Sequence, residues 1–199
     1  MNQSFHSVEQ ILQKLISFDV LGGQSNLAIA SWIRDYLISM GVSTHTFLNE
    51  EGNKMGIHAR IGPPREGGTI LSGHMDVVPV EGQDWDTPPF DMVDGGDGKL
   101  YGRGTCDMKG FLACCLYVVP EMVKAKLQRP IYLAFSYDEE IGCQGAPELI
   151  DHFKETYSEK ARYAIIGEPT LMQPVIGQKG ICVIHTTVNG SAGHSSRIK

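Results

Sequence analysis

The stretch Thr69-Ile70-Leu71-Ser72-Gly73-His74-Met75-Asp76 runs from a short apolar segment into an imidazole and a carboxylate. Residues 69–72 read as a fully buried strand, with His74 and Asp76 at its carboxyl end. Three more acidic positions stand in comparable places. Asp107 lies within Tyr101-Gly102-Arg103-Gly104-Thr105-Cys106-Asp107-Met108-Lys109-Gly110. Glu139 and Glu140 follow Ile131-Tyr132-Leu133-Ala134-Phe135, and Glu168 follows Tyr163-Ala164-Ile165-Ile166-Gly167. In open α/β sheets ligands bind outside the carboxyl ends of the strands, where successive tips converge. An imidazole with several carboxylates at one such edge is the donor set of a hydrolytic zinc site.

Outward from this stretch, Val8, Ile11, Leu12, Leu15 and Ile16 recur at helical spacing and predict a helix over 7–18. Ser25 or Asn26 is placed to cap a second helix, with Ala30, Ile33, Leu37 and Met40 on its apolar face and Gly41 as its stop. A strand is expected over 42–48. A half-buried one is expected over 54–61, where Met55, Ile57, Ala59 and Ile61 alternate with other positions. The long loop 77–105 is rich in proline and glycine and ends at Asp107, which points to a functional loop. Residues 108–126 read as a helix kinked or split at Pro120. A strand over 130–137, a helix over 145–154 and a strand over 163–166 follow. This alternation implies an α/β fold, a mostly parallel sheet with helices on both faces. From Pro174 the pattern changes. The residues from Ile181 to Val188 read as an exposed strand. A boundary near residue 179 then separates residues 1–178 from the beginning of a second domain, 179–199, that reads as incomplete.

A chain of 199 residues suits one domain with the start of another. Its net charge of −6 argues against a nucleic-acid partner, which calls for a basic face. The five cysteines are odd in number and form no C-x-x-C pair, so free thiols in a reducing cytoplasm are expected. No signal peptide is visible, and no apolar stretch approaches the ~18 residues of a membrane span.

His74 and Asp76 are two residues apart, on one face of an extended segment. A zinc-bound histidine gives its other ring N–H to a carboxylate or carbonyl. His74 as ligand and Asp76 as its orienter therefore compete with an ordinary surface His-x-Asp. Gly102 and Gly104 do not begin a phosphate loop, because Asp107 occupies the place of the third glycine in G-x-G-x-x-G. Asp107 reads either as a carboxylate bridging two metals roughly 3.5–4 Å apart or as a helix N-cap. Of Glu139 and Glu140, one is expected as a metal ligand and the other as a general base, against the alternative of a solvated acidic turn. Pro169 holds Glu168 extended. His6, His45, His58, His152 and His185 are expected to be structural, and Cys106 to be a small buried residue. Each bland alternative is strong alone, but all would have to hold at four positions together.

The ordered set Ser72-Gly73-His74-Met75-Asp76-Val77-Val78-Pro79, Leu100 to Gly110, Asp138-Glu139-Glu140 and Gly167-Glu168-Pro169-Thr170 resembles the di-zinc aminoacylase and carboxypeptidase-type hydrolases. Trp85-Asp86-Thr87-Pro88-Pro89-Phe90, Gly104-Thr105-Cys106-Asp107 and Tyr137-Asp138-Glu139-Glu140-Ile141-Gly142-Cys143 are most similar to its branch acting on N-acetylornithine. The resemblance spans roughly residues 70–196. It implies that 1–178 is the amino-terminal part of a zinc-peptidase-like, metal-binding catalytic domain and 179–199 the beginning of a small α+β lid, with two Zn(2+) ions per complete subunit, Co(2+) being a possible substitute. His74, Asp107 and Glu168 are implied as ligands of one zinc, and Asp107 and Glu140 as ligands of the second. Asp76 is implied as the orienter of His74 and Glu139 as the general base. His194, in Gly193-His194-Ser195-Ser196, is implied as a lid histidine stabilising the oxyanion, in a homodimer formed through the lid. The implied substrate is a small N-acyl amino acid, N-acetyl-L-ornithine first. Succinyl-diaminopimelate, other acylated amino acids and dipeptides are the alternatives. The resemblance also places the last ligand of the second zinc in a histidine beyond Lys199. A truncated metal-binding module without catalysis is thus the competing expectation.

Overall fold

A computed structural model describes residues 5–180, 182–190 and 196. The chain divides into two units, Met1–Pro169 and Thr170–Lys199. In the first, α1 (Val8–Ile16) buries Ile11, Leu12, Leu15 and Ile16 along one stripe, and the Ser7 hydroxyl accepts from the Gln10 amide at its start. Helix α2 (Leu27–Ser39) buries Ile29, Ala30, Ile33 and Leu37. Asn26 stands at its N-cap position but makes no cap bond. Its amide instead accepts from the Met55 N–H at 2.7 Å and donates to the Met55 carbonyl at 2.9 Å, pinning the start of α2 to the sheet.

The remaining elements are β1 (Thr44–Leu48), β2 (Met55–Ile61), β3 (Gly68–His74), the short ribbon β4 (Val93–Asp94) and β5 (Leu100–Tyr101), α3 (Lys109–Tyr117), α4 (Val119–Lys124), β6 (Ile131–Ser136), α5 (Gly145–Thr156) and β7 (Ala161–Ile166). Pro120 sits in the first turn of α4, where its missing N–H costs nothing, so the predicted split falls at Val118. The main sheet has the order β1-β2-β6-β3-β7. Strand β3 runs parallel to both β6 and β7, whereas β1, β2 and β6 are joined antiparallel. The α/β fold read from the sequence is thus a mixed sheet with a parallel portion, and helices lie on both faces. Helices α1, α2 and α3 share one core with Ile57, Ala59, Leu133 and Phe135. On the other face Phe153 of α5, and Tyr157 just beyond it, pack against Tyr132 and His58. Each fully buried Leu or Ile in such a core contributes about 1.5–3 kcal/mol relative to exposure.

Burial departs from the sequence expectation in two strands. Strand β2, expected half-buried, is buried at all but one position, because it lies inside the sheet with helices on either side. Residues 69–72 of β3, expected fully buried, are half-buried; Ile70 and Ser72 line a cavity of about 740 Å³ with Ala134, Leu149, Phe153 and Ala164. In the second unit, the strand expected from 181 to 188 is not formed by residues 182–190. A strand requires a hydrogen-bonded neighbour, and none is paired with it among the described residues. Ile181 and His194 lie outside the described residues. Among the described residues, no helix is long and apolar enough to cross a membrane.

His58 is fully buried beneath α5, with Nε2 2.7 Å from His152 Nδ1 and Nδ1 3.3 Å from the Tyr157 hydroxyl. His45 stacks on its ring. Burial first, then the neighbouring His152 and His45, pushes its pKa down to about 4. A group depressed in the folded state stabilises the fold above its unfolded pKa of about 6.5. That contribution is lost as pH falls toward the folded value. The Tm should therefore drop between about pH 6.5 and 4, and His58→Gln should flatten that part of the Tm–pH profile. An unchanged slope in the variant would assign the acid sensitivity elsewhere.

Candidate metal centre

The three mutually aligned strands end on one edge, β3 at His74, β6 at Ser136 and β7 at Ile166. The residues just beyond these ends supply Asp76, Glu139, Glu140 and Glu168. Asp107 arrives from the loop before α3. That helix begins at Lys109 with Met108 in the N-cap place, so Asp107 is not its cap. Its Oδ1 lies 3.1 Å from His74 Nε2 instead. One donor atom from each of His74, Asp107 and Glu168 falls within 4.8 Å of the others. Glu168 Oε1 is 4.0 Å and Glu139 Oε2 3.8 Å from His74 Nε2. The His74 side chain is 1% exposed, against 49% for Asp107 and 39% for Glu168. An imidazole thus forms the floor and carboxylates form an open rim.

Asp76 organises this floor with both its carbonyl and its carboxylate. His74 Nδ1 is 2.8 Å from the Asp76 backbone carbonyl, and its distance to the carboxylate is longer, 3.6 Å. A carbonyl only accepts, so Nδ1 carries the proton and Nε2 is turned toward the acidic rim. The Asp76 carboxylate accepts the N–H groups of Glu139 and Glu140, each at 3.1 Å. Burial disfavours charge on His74, but the hydrogen bond and negative charge of Asp76 outweigh it and raise the pKa to about 9. For Asp76, burial acts upward, and the His74 bond and charge with the two amides prevail and lower it. Glu140 is raised by burial and then by repulsion from Asp107. Glu168 is raised by burial, with His74 countering and Asp107 and Glu139 adding repulsion.

The donor set fits a divalent cation of intermediate softness such as zinc. It offers one imidazole nitrogen with its tautomer fixed, and carboxylates whose mutual repulsion a dication would relieve.

Four residues of this region were not singled out by the sequence patterns. The buried Lys109 donates from Nζ to the Phe18 carbonyl at 2.7 Å. Burial pulls its pKa down to about 8 against the opposing charges of Asp19 and Asp76. The Cys143 thiol donates to Glu139 Oε1 at 3.3 Å. Asp138 and Lys54 form a buried ion pair. Only the adjacency of Asp138 and Cys143 to the acidic turn could have flagged them, since no spacing rule marks Lys54 or Lys109. Cys106, expected buried, is exposed because it shares the open rim with Asp107.

A parallel strand edge bearing imidazole and carboxylate donors is the architecture of metal-dependent hydrolases. Residues 70–193 match the model of peptidase family M20/M25/M40, and the chain belongs to that family. It is similar to the acetylornithine deacetylase of Shigella sonnei (strain Ss046), 37% identical over 174 residues, which cover 87% of this chain and 44% of that relative. Among solved structures, human carnosine dipeptidase 1 superposes with a TM-score of 0.68 at 24% identity, over 80% of this chain and 37% of that one. An M20 family metallo-carboxypeptidase from Sulfolobus solfataricus gives 0.69 at 21% identity, over 82% and 37%. The chain spans less than half the length of these relatives.

Titration of the purified chain should reveal one tightly held zinc. At about 100 times its Kd the ion stabilises by about 2.7 kcal/mol, a rise in Tm of roughly 5–10 °C. His74→Ala should remove that rise, and Asp76→Asn should weaken zinc binding by about 10- to 100-fold. Calorimetry with metal analysis checks both.

Proposed function

We propose that the chain serves zinc-dependent hydrolysis of the amide bond of an N-acyl amino acid, with N-acetyl-L-ornithine as substrate, in the cytoplasm. The observation that carries this reading is the gathering of His74, Asp107 and Glu168 within 4.8 Å at the carboxyl edge of the sheet. Likeness to the Shigella sonnei enzyme supports the substrate.

In this reading His74, Asp107 and Glu168 hold one cation, and Asp107 and Glu140 contribute to a second. When bound, the metal supplies Lewis acidity, polarising the acyl oxygen and making water acidic enough to attack near neutral pH. The chain's own residues do the rest. Asp76 keeps His74 in one tautomer and fixes the backbone of the acidic turn. Glu139, beside His74 Nε2 and half open to solvent, takes the proton of the attacking water on its carboxylate and passes it to the leaving amine. The Cys143 thiol, raised by burial and by Glu139, stays protonated and remains a donor to that carboxylate. His194 is assigned to stabilisation of the tetrahedral oxyanion, from a lid domain starting near residue 179 through which two subunits pair.

The test compares, in a version completed to the length of its relatives, kcat/KM for N-acetyl-L-ornithine, succinyl-diaminopimelate and simple dipeptides with zinc present; the 199-residue chain alone should show negligible turnover. Acetylornithine should lead, and a dipeptide favoured at least about tenfold would overturn the substrate assignment. Glu139→Gln should cut turnover by about 10²- to 10⁴-fold while zinc content stays near that of the wild type, because a base is lost and not a ligand. Glu140→Gln should instead lower occupancy of the second position. Equal metal loss in both variants would contradict the division of roles.

A further inference from the structure

We propose that Lys54, at the entry to β2, is a positioning residue for the Asp138-Glu139-Glu140 turn, holding the general base and a metal ligand at the site through a buried ion pair. The inference rests on the roles assigned above to Glu139 and Glu140.

Asp138 has φ +53, in the left-handed region that non-glycine residues seldom occupy. Such a conformation persists only where the surroundings enforce it. Here the enforcement comes from both sides of the turn. On one side the Asp76 carboxylate takes the amides of Glu139 and Glu140. On the other, Asp138 Oδ1 accepts from Lys54 Nζ at 2.6 Å and from the Gly23 N–H at 2.8 Å. The Lys54 and Asp138 side chains are 4% and 8% exposed.

Lys54 is itself anchored. Its N–H donates to Asn49 Oδ1 at 2.9 Å, and the next residue, Met55, is gripped on both sides of its backbone by Asn26. Lys54, Asn26 and Gly23 all lie outside residues 70–193 matched to the family. The strut therefore connects the amino-terminal helices to the tip of β6, across 84 residues between Lys54 and Asp138.

A buried ion pair is a poor device for stability, since a well-packed apolar pair of similar volume often does as well or better. What it supplies is direction. It fixes the Asp138 carboxylate at one point, and with it the backbone orientation that aims the next two amides at Asp76. Without the ammonium, that carboxylate is left buried and uncompensated, and the turn relieves it by rotating outward.

The test follows backbone amide exchange at Glu139 and Glu140 and zinc affinity in the 199-residue chain. Lys54→Met should speed exchange of both amides at least about tenfold and weaken zinc by about 10- to 100-fold. Lys54→Arg, which keeps the charge, should restore most of both. Ile61→Ala, a core deletion at the far end of β2, should lower the Tm yet leave the two amides and zinc affinity unchanged. If Lys54→Met does not fold, Asp138→Asn is read in the same way, since it removes the charge pair while keeping an acceptor for Gly23. Wild-type protection of both amides in the charge-removing variant overturns the proposal, as does equal loss in Ile61→Ala. Freed amides in Lys54→Met together with no zinc binding by the wild type would support the strut while refuting the metal assignment.

Discussion

The carboxylate of Asp76 accepts two backbone amides from the turn after β6 while the carbonyl of the same residue fixes the His74 imidazole. This junction joins the tips of two adjacent parallel strands, and the geometry of the candidate site depends on it. His74 has one ring nitrogen committed, so the other faces the rim. Glu139 and Glu140, adjacent in sequence and opposed on any continuing strand, are held in a turn by their own N–H groups. One buried residue thereby orders three donors that lie 2, 63 and 64 residues from it, the imidazole on its carbonyl and the two amides on its carboxylate. Its lowered pKa expresses the same fact, because every one of these partners favours the ionised form.

Around this junction the fold concentrates negative charge that it does not itself neutralise. Burial and repulsion from Asp107 and Glu139 raise Glu140 and Glu168, and His74 is the cation they surround. Such an arrangement is costly in an empty protein and favourable around a dication. Rigidity is supplied from below. Lys109 occupies a buried position on α3 and ties it to the Phe18 carbonyl, while the ion pair of Lys54 and Asp138 secures the turn from the opposite side. The charged groups that aim the site are thus buried, as is the His74 imidazole, and the carboxylates of the rim are half open.

The two faces of the sheet are built on different chemistry. The face under α1, α2 and α3 is an aliphatic core. The face under α5 carries His58, His152, Tyr132, Phe153 and Tyr157 in aromatic and hydrogen-bonded contact. The turn that precedes α5 contains Glu139 and Glu140, so that helix is anchored at its far end by a cluster sensitive to acid. Strand β7 exposes Tyr163, Ile165 and Ile166, beside a cavity with an apolar lining.

Hydrophobic patterning and composition marked the helices and the main-sheet strands of the described residues, α3 and α4 as one segment split at Pro120, because helices and strands carry signals that a local window detects. His74, Asp76, Glu139, Glu140 and Glu168 stood out for the same reason, each lying just past an apolar run, whereas Asp107 was marked by the glycine-rich loop that ends at it. Which strands lie beside which is not a local property. The order β1-β2-β6-β3-β7 puts β2 inside the sheet and β7 at its edge, so burial of β2 and exposure along β7 follow from neighbours distant in sequence. The grip of Asp76 on the Glu139 amide, the diversion of Asn26 from capping to the Met55 backbone, and the strut from Lys54 to Asp138 are pairings across 29 to 84 residues. The sequence by itself determined the elements and the residue types able to hold a metal. Only the tertiary structure decided which atoms meet, because hydrogen-bond direction and burial are set by the packed arrangement of strand tips and not by spacing along the chain.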